Sequence, residues 1–433
     1  MCIHYHNNTN FALFNLSEDQ QCQYLFLQCV NNLSEVFCTV AIRKQHEDLQ
    51  RCKTDPLIYI MNSNGNNTKF DVLLADYLES RGMEHLKRYG KVLQKVEKVV
   101  NPLLKELKKR DKRLNFQPMS PDGFFRVRQQ NVLEVFLIFK KLDTNKVSFI
   151  EMDSPTGVAF VSSKAAKLQN SWLDLMEGGS NQGFFLSSER LREYICSFLQ
   201  DLSREKGILD SKVWFHCTNN EEDGLVLSVL YEGEQLFVHL IPTIFLKAVW
   251  PNCASMWKKV LFRWPEDYVR MKIVDEGIHL TCQPVKASLQ HSSIFWQINF
   301  LIGEKILLNT ANVGCRNKCL QIAKTILEDT LCYPEGLTPY HLETITLHLN
   351  SMISSPTLWQ DAHLTPRFLD LMSALQKSLS QGTCTHFFAP SIQLFDDLPP
   401  HILKTLAARV KHILEKPEDF FQTFYRDTLT TQF

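Results

Sequence analysis

The run Val132-Leu-Glu-Val-Phe-Leu-Ile-Phe139 constrains this chain more than any other stretch: it is apolar throughout except for one acid. It follows a turn, Ser120-Pro-Asp-Gly123, and a short irregular segment, and its composition predicts a β-strand. Residues two apart on a strand point to the same side, so Val132 and Glu134 share one face. Whatever chemistry this strand brings to that face, its only carboxylate is Glu134.

Ahead of the strand, Leu93, Val96, Val100, Leu103 and Leu107 recur at three- and four-residue steps and predict a long helix with one apolar stripe. Lysines and arginines from Lys87 to Arg113 cover much of the remainder, and Pro102 is expected to bend this helix or divide it in two. Further strands are read at 147–151, 212–217, 225–230 and 235–241, with a helix near 188–203 among them. Residues 177–183 read as a loop and 219–224 as a hairpin turn. Beyond Trp296 the spacing is helical at 319–331, 339–351, 366–380 and near 400–414, followed by a polar tail. The pattern predicts an α+β class, a mixed sheet flanked by helices with a C-terminal all-helical lobe. Residues 1–70 are expected to be an N-terminal extension whose fold is unassigned, with strand character only at 36–42 and 57–61. Residues 71–308 are expected to form the sheet core with its long N-terminal helix, and 309–433 the helical lobe.

With 47 basic and 47 acidic side chains in 433 residues, no global field draws the chain toward nucleic acid or acidic membranes. No run reaches the roughly 18 apolar residues of a spanning helix, and no signal peptide is visible at the amino terminus. Thirteen scattered cysteines fit reduced thiols better than a disulfide framework, so a cytoplasmic or nuclear location is expected.

The face carrying Glu134 can be weighed against one demanding chemistry. Two-metal nucleotidyl transfer uses three acids, two from one strand and one from its neighbour, to activate a hydroxyl and neutralise leaving pyrophosphate. The third would fall in Phe237-Val-His-Leu-Ile-Pro242, at His239. Val132, Glu134 and His239 make a poor Mg²⁺ site, because that hard ion takes several oxygen ligands. Taking Glu134 as the first acid instead leaves Phe136 as the second. Such sites also carry Gly-Ser before the strand, whose N–H groups and hydroxyl hold triphosphate oxygens. Ser120 stands fourteen residues before Glu134, but Met119 fills the glycine position, where a side chain obstructs close approach. An ordinary loop is the plainer reading of this turn. Glu151 and Asp153 are acids two apart with no such turn before them, and read more simply as a solvated strand end. Cys315 and Cys319, one helical turn apart, fall short of the four ligands of structural zinc. No metal site is expected.

Several short passages, in this order, resemble the Mab-21 family, which includes the cyclic GMP-AMP synthases. They are Val238-His-Leu-Ile-Pro-Thr243 with Trp250-Pro251, Phe262-Arg-Trp-Pro265, Phe295-Trp-Gln-Ile-Asn-Phe300, Cys315-Arg-Asn-Lys-Cys-Leu320, Leu337-Thr-Pro-Tyr-His-Leu-Glu-Thr344 and His386-Phe-Phe-Ala-Pro-Ser-Ile-Gln-Leu-Phe395. The likeness spans 70–415 and is nearest to the Mab-21-like subgroup. It implies a nucleotidyltransferase core, a carboxy-terminal helical lobe and a nucleotide cleft between them. By position, Met119 replaces the family glycine, Val132 and His239 replace catalytic acids, Glu134 is the residual catalytic position, and the zinc-thumb ligands are missing. Ser120, Lys324 and Tyr340 fall where those synthases hold triphosphate, contact phosphate and stack a base. The resemblance therefore implies an ATP- or GTP-type nucleotide as ligand; stacking on tyrosine needs no metal, and lysine serves as a point charge. The expectation is a catalytically inactive nucleotidyltransferase fold, acting as a scaffold with a protein partner or as a metal-independent nucleotide-binding module, with no cofactor. The alternative is a Mg²⁺-dependent cyclic-dinucleotide synthase activated by double-stranded nucleic acid. In that case the helix from Lys87 to Arg113 would track phosphates, although lysines on an exposed face usually keep it solvated and no aromatics interleave them for stacking.

Overall fold

The computed structural model describes residues 68–430, apart from 141, 143–146, 153–156, 164–170, 180–182, 206–211, 218–223, 260–263, 284–291 and 311–313. The strands expected at 36–42 and 57–61 lie outside the described residues, as does nearly all of the extension.

The chain enters through α1 (Thr68–Tyr77), a wide π turn (Leu78–Gly82) and α2 (Met83–Arg110). The apolar stripe that predicted α2 is its buried face: Leu93, Val96, Val100, Leu103 and Leu107 are all in the core. Pro102 neither divides nor ends this helix; it lies on the solvent side, and the helix runs through it.

Eleven strands follow among the described residues, all in one mixed sheet. They are β1 (Phe125–Gln129), β2 (Val132–Ile138), β3 (Val147–Glu151), β4 (Val158–Ser163), β5 (Met176–Gly179), β6 (Gly183–Leu186), β7 (Val213–Cys217), β8 (Leu225–Tyr231), β9 (Glu234–Leu246), β10 (Ile278–Thr281) and β11 (Phe295–Asn299). The long β9 is the hub. It runs parallel to β2, placing Glu134 opposite His239, and antiparallel to β8 and β10. On the other edge of β2, antiparallel β1 sets Arg126 opposite Glu134. Of residues 177–183, read as a loop, 177–179 end β5 and Gly183 begins its antiparallel partner β6, while 180–182 lie outside the described residues. The hairpin turn expected at 219–224 lies, apart from Gly224, outside the described residues; the strands on either side of it, β7 and β8, pair antiparallel.

Helices α3 (Ser188–Arg204), α4 (Ser255–Lys259), α5 (Asp267–Glu276) and α6 (Leu301–Thr310) belong with the sheet. Then come α7 (Arg316–Ile326), a second π turn (Leu327–Leu331), α8 (Pro339–Met352), α9 (Leu364–Gln381), α10 (Pro400–Glu415) and α11 (Pro417–Thr430). The polar tail expected after α10 is instead α11. Phe420, Phe421 and Phe424 give it an apolar side, and Phe421 packs on Phe70, Tyr77 and Phe368. Two cores result. One joins α2 and α3 to the sheet, and the other fills the helical lobe, where α1 contributes Phe70, Leu74 and Tyr77.

At the junction of α1 and α2 with the turn after α7, charged groups are paired inside the protein. Asp329 accepts from Tyr77 Oη at 3.0 Å and from Arg81 Nη2 at 2.9 Å. His85 contacts Asp329 at 3.1 Å and also Glu328, to which Tyr89 Oη donates at 2.6 Å.

No helix among the described residues is long and apolar enough to cross a membrane. Cys253, Cys282, Cys315, Cys319, Cys332 and Cys384 are free thiols.

Candidate functional site: a cationic cluster between sheet and helical lobe

Strand register builds the site. Arg126, Glu134 and His239 stand in one cross-strand row, and side chains on one face of adjacent strands are near neighbours. Glu134 is only 6% exposed; its Oε1 lies 3.4 Å from Arg128 Nε and accepts from Gln283 Nε2 at 3.3 Å. The single carboxylate that the sequence placed on this face thus already has a guanidinium and an amide for partners.

Beside it, Arg126 turns toward the helical lobe. Its Nη2 donates to Glu304 Oε2 at 2.7 Å and to Asn299 Oδ1 at 2.9 Å. The guanidinium carbon stands 4.0 Å from the centroid of the Tyr340 ring and 5.5 Å from that of Phe136. Tyr340 Oη donates to Glu304 Oε1 at 2.7 Å, and His386 Nε2 lies 3.4 Å from the same oxygen. Burial alone would raise the Glu304 pKa, but the Arg126 charge, with His386 and the Tyr340 hydroxyl, holds it down to about 2. Burial raises the Tyr340 pKa, and the Glu304 charge adds to that, so its hydroxyl remains a donor. On the neighbouring strand His279 is stacked on Phe245 and packed on Phe124, and burial lowers its pKa to about 3, which keeps it neutral.

The turn ahead of β1 is closed in a comparable way. Met119 is buried in the core, and both of its backbone polar groups are taken by Asn101 of α2: its N–H donates to Oδ1 at 2.8 Å and its carbonyl accepts from Nδ2 at 2.9 Å. Ser120 closes the turn by accepting from the Gly123 N–H at 2.9 Å, and Lys305 of α6 donates to the Asp122 carbonyl. On α7, Lys324 Nζ is paired with Glu343 Oε1 at 2.5 Å. Glu134 and Tyr340 therefore come to either side of Arg126, while no hydrogen bond or ion pair joins Ser120 or Lys324 to them.

A nucleotidyltransferase fold implies Mg²⁺, and the residues here do not fit two such ions. The row offers one carboxylate and an imidazole, with Arg126 and Arg128 on the neighbouring strand where further oxygen ligands would have to approach.

Comparison with known proteins explains the frame around this cluster. Residues 127–310 match the model of the Mab-21 protein nucleotidyltransferase domain, and 315–412 match that of the Mab-21 protein HhH/H2TH-like domain. Together these take in more than half of the chain. The chain belongs to the Mab-21 family. Protein male abnormal 21 of Caenorhabditis elegans is 21% identical over 368 residues, covering 81% of this chain and 96% of the relative. Protein mab-21-like of Drosophila melanogaster is 21% identical over 73% of this chain and 86% of its own length. Protein mab-21-like 3 of Danio rerio is 28% identical over 187 residues, which is 42% of this chain and 46% of the relative, so the chain spans about half of that protein.

Within this Mab-21 frame the cluster is made by both matched domains. Asn299 and Glu304 lie in the nucleotidyltransferase match, Tyr340 and His386 lie in the other, and Arg126 stands one residue before the first begins. Sequence reasoning did not single out Arg126, Glu304 or His386. The available signal was Phe125-Arg-Val-Arg128, two arginines two apart on the strand adjoining Glu134.

Proposed function

We propose that this Mab-21 family chain uses its nucleotidyltransferase fold as a scaffold and does not transfer nucleotides. The observation that supports this most is the row Arg126–Glu134–His239, where two-metal transfer needs three carboxylates. Cations stand where ions would have to be caged, and Arg126 is committed to Glu304, Asn299 and Tyr340. A base stacking on the covered face of Tyr340 would have to displace Arg126, and a phosphate on Lys324 would have to displace Glu343. Both carry a desolvation cost for the group left behind.

The test is transfer itself. Purified chain incubated with labelled ATP and GTP, Mg²⁺ or Mn²⁺, and double-stranded DNA or RNA should yield no nucleotidyl product above a protein-free control. A product that disappears in Glu134→Ala would establish the alternative, an active cyclic-dinucleotide synthase.

A further inference from the structure

Arg316 is a buried cation that meets no counterion among the described residues. It is 3% exposed, and its Nε and Nη2 are sealed from solvent with no hydrogen-bond partner. Its near neighbours are two indoles, with ring centroids 5.1 Å (Trp359) and 5.9 Å (Trp264) from the guanidinium carbon. A cation–π contact recovers only part of what it costs to take a charge out of water, so the indoles alone leave a deficit.

The place of Arg316 in the fold says what would fill it. It is the first residue of α7, an 11-residue helix whose N-cap, Cys315, makes no side-chain cap. Among the described residues no acceptor meets the backbone N–H groups of Arg316, Asn317 and Lys318. Side chains in a helix lean toward its amino terminus, which carries a partial positive charge. Gly314 brings the chain against Trp359: at φ +70° its missing Cβ would stand 1.8 Å from the Trp359 carbonyl oxygen. That carbonyl accepts from the Cys315 N–H at 2.8 Å, which fixes the helix end on the indole. The other charges nearby are already matched. Lys318 pairs with Asp361 at 3.0 Å and Arg367 with Asp370 at 2.9 Å, and among the described residues no ion pair reaches Arg316.

We propose that Arg316 and the amino terminus of α7 bind one phosphate-type oxyanion, beside Trp264 and Trp359. Helix N-termini are suited to such ions, and the adjacent guanidinium adds positive charge. This site is separate from the Glu134 face, and the proposal does not depend on whether the chain transfers nucleotides.

The test is the melting temperature of the full chain titrated with inorganic phosphate at constant ionic strength, alongside adenosine monophosphate at the same concentrations. Ligands that bind only the native state raise Tm once their concentration passes Kd, and the rise continues with the logarithm of concentration. The parent should show such a rise, of a few degrees, and Arg316→Met, which keeps the apolar stem and removes the charge, should show none. Without ligand, Arg316→Met should melt no lower than the parent, because an unpaired buried charge has gone. Arg316→Lys keeps the charge without the fork and should need several-fold more phosphate. A response to phosphate alone assigns the free ion, and a response only to the nucleotide assigns a phosphate monoester. No rise in the parent, an equal rise in Arg316→Met, or an unshifted titration in Arg316→Lys would overturn the site.

Discussion

Glu304→Ala is expected to lower the free energy of unfolding by about 3–5 kcal/mol, the range for breaking a buried ion pair from one side. Glu304 is 8% exposed and is the carboxylate that satisfies Arg126, Tyr340 and His386 together. Its removal strands a guanidinium between sheet and helical lobe and leaves the Tyr340 hydroxyl without an acceptor. Urea unfolding would show the loss as a lower midpoint with little change in slope. Arg126→Leu combined with Glu304→Leu should recover much of it, since replacing a buried pair with apolar groups is often close to neutral. A loss below about 1 kcal/mol in the single variant, the size of a surface pair, would mean that Glu304 does not hold the two lobes together.

The second large effect is on pH. Hydrogen bonds to Asp329 and then Glu328 outweigh burial and raise His85 from its ordinary pKa of 6.5 to about 9. Burial would raise Asp329, but hydrogen bonds from His85, Arg81 and Tyr77 bring it from 3.8 down to about 2. The His85 contribution is complete below pH 6.5 and is lost as pH rises through about 9. The Asp329 contribution is complete above pH 3.8 and is lost as pH falls through about 2. Linkage makes the His85 part on the order of 3 kcal/mol. Stability measured from pH 6.5 to pH 9.5 should therefore fall by a few kcal/mol in the parent, and Arg81 should not contribute because it stays charged. His85→Gln should be less stable at pH 6.5 and nearly flat across the same interval. An equal slope in both proteins would place the titration elsewhere.

How far the sequence carried depended on the kind of signal each element left. The long periodicity of α2 and the apolar run of β2 were readable because each repeats one pattern over many residues. Strands β10 and β11, four and five residues long, are mostly buried, so they leave no alternation to read. The polar tail hides a helix because Phe420, Phe421 and Phe424 sit among charged and polar residues, and only packing against Phe70 and Tyr77 shows the purpose of that side. The site divides similarly. Strand spacing puts Val132 on the face of Glu134, and the family resemblance marks Val132 and His239 as positions where acids are missing. What took their place could not be read, since Arg126, Asn299, Glu304, Tyr340 and His386 are brought together only by strand pairing and by the docking of helices far apart in sequence. Three of these five lie in passages that carry the family resemblance, namely Phe295–Phe300, Leu337–Thr344 and His386–Phe395, but their common contact with Arg126 had no local signature.

The shortage of oxygen ligands around Glu134 can be examined directly with a crystal of the full chain soaked in manganese and a non-hydrolysable nucleoside triphosphate. Anomalous maps should show no manganese between Glu134 and the Arg126 row, with the Arg126–Glu304 hydrogen bond intact. Two ordered manganese ions bridged by side chains to a triphosphate on that face would contradict the account.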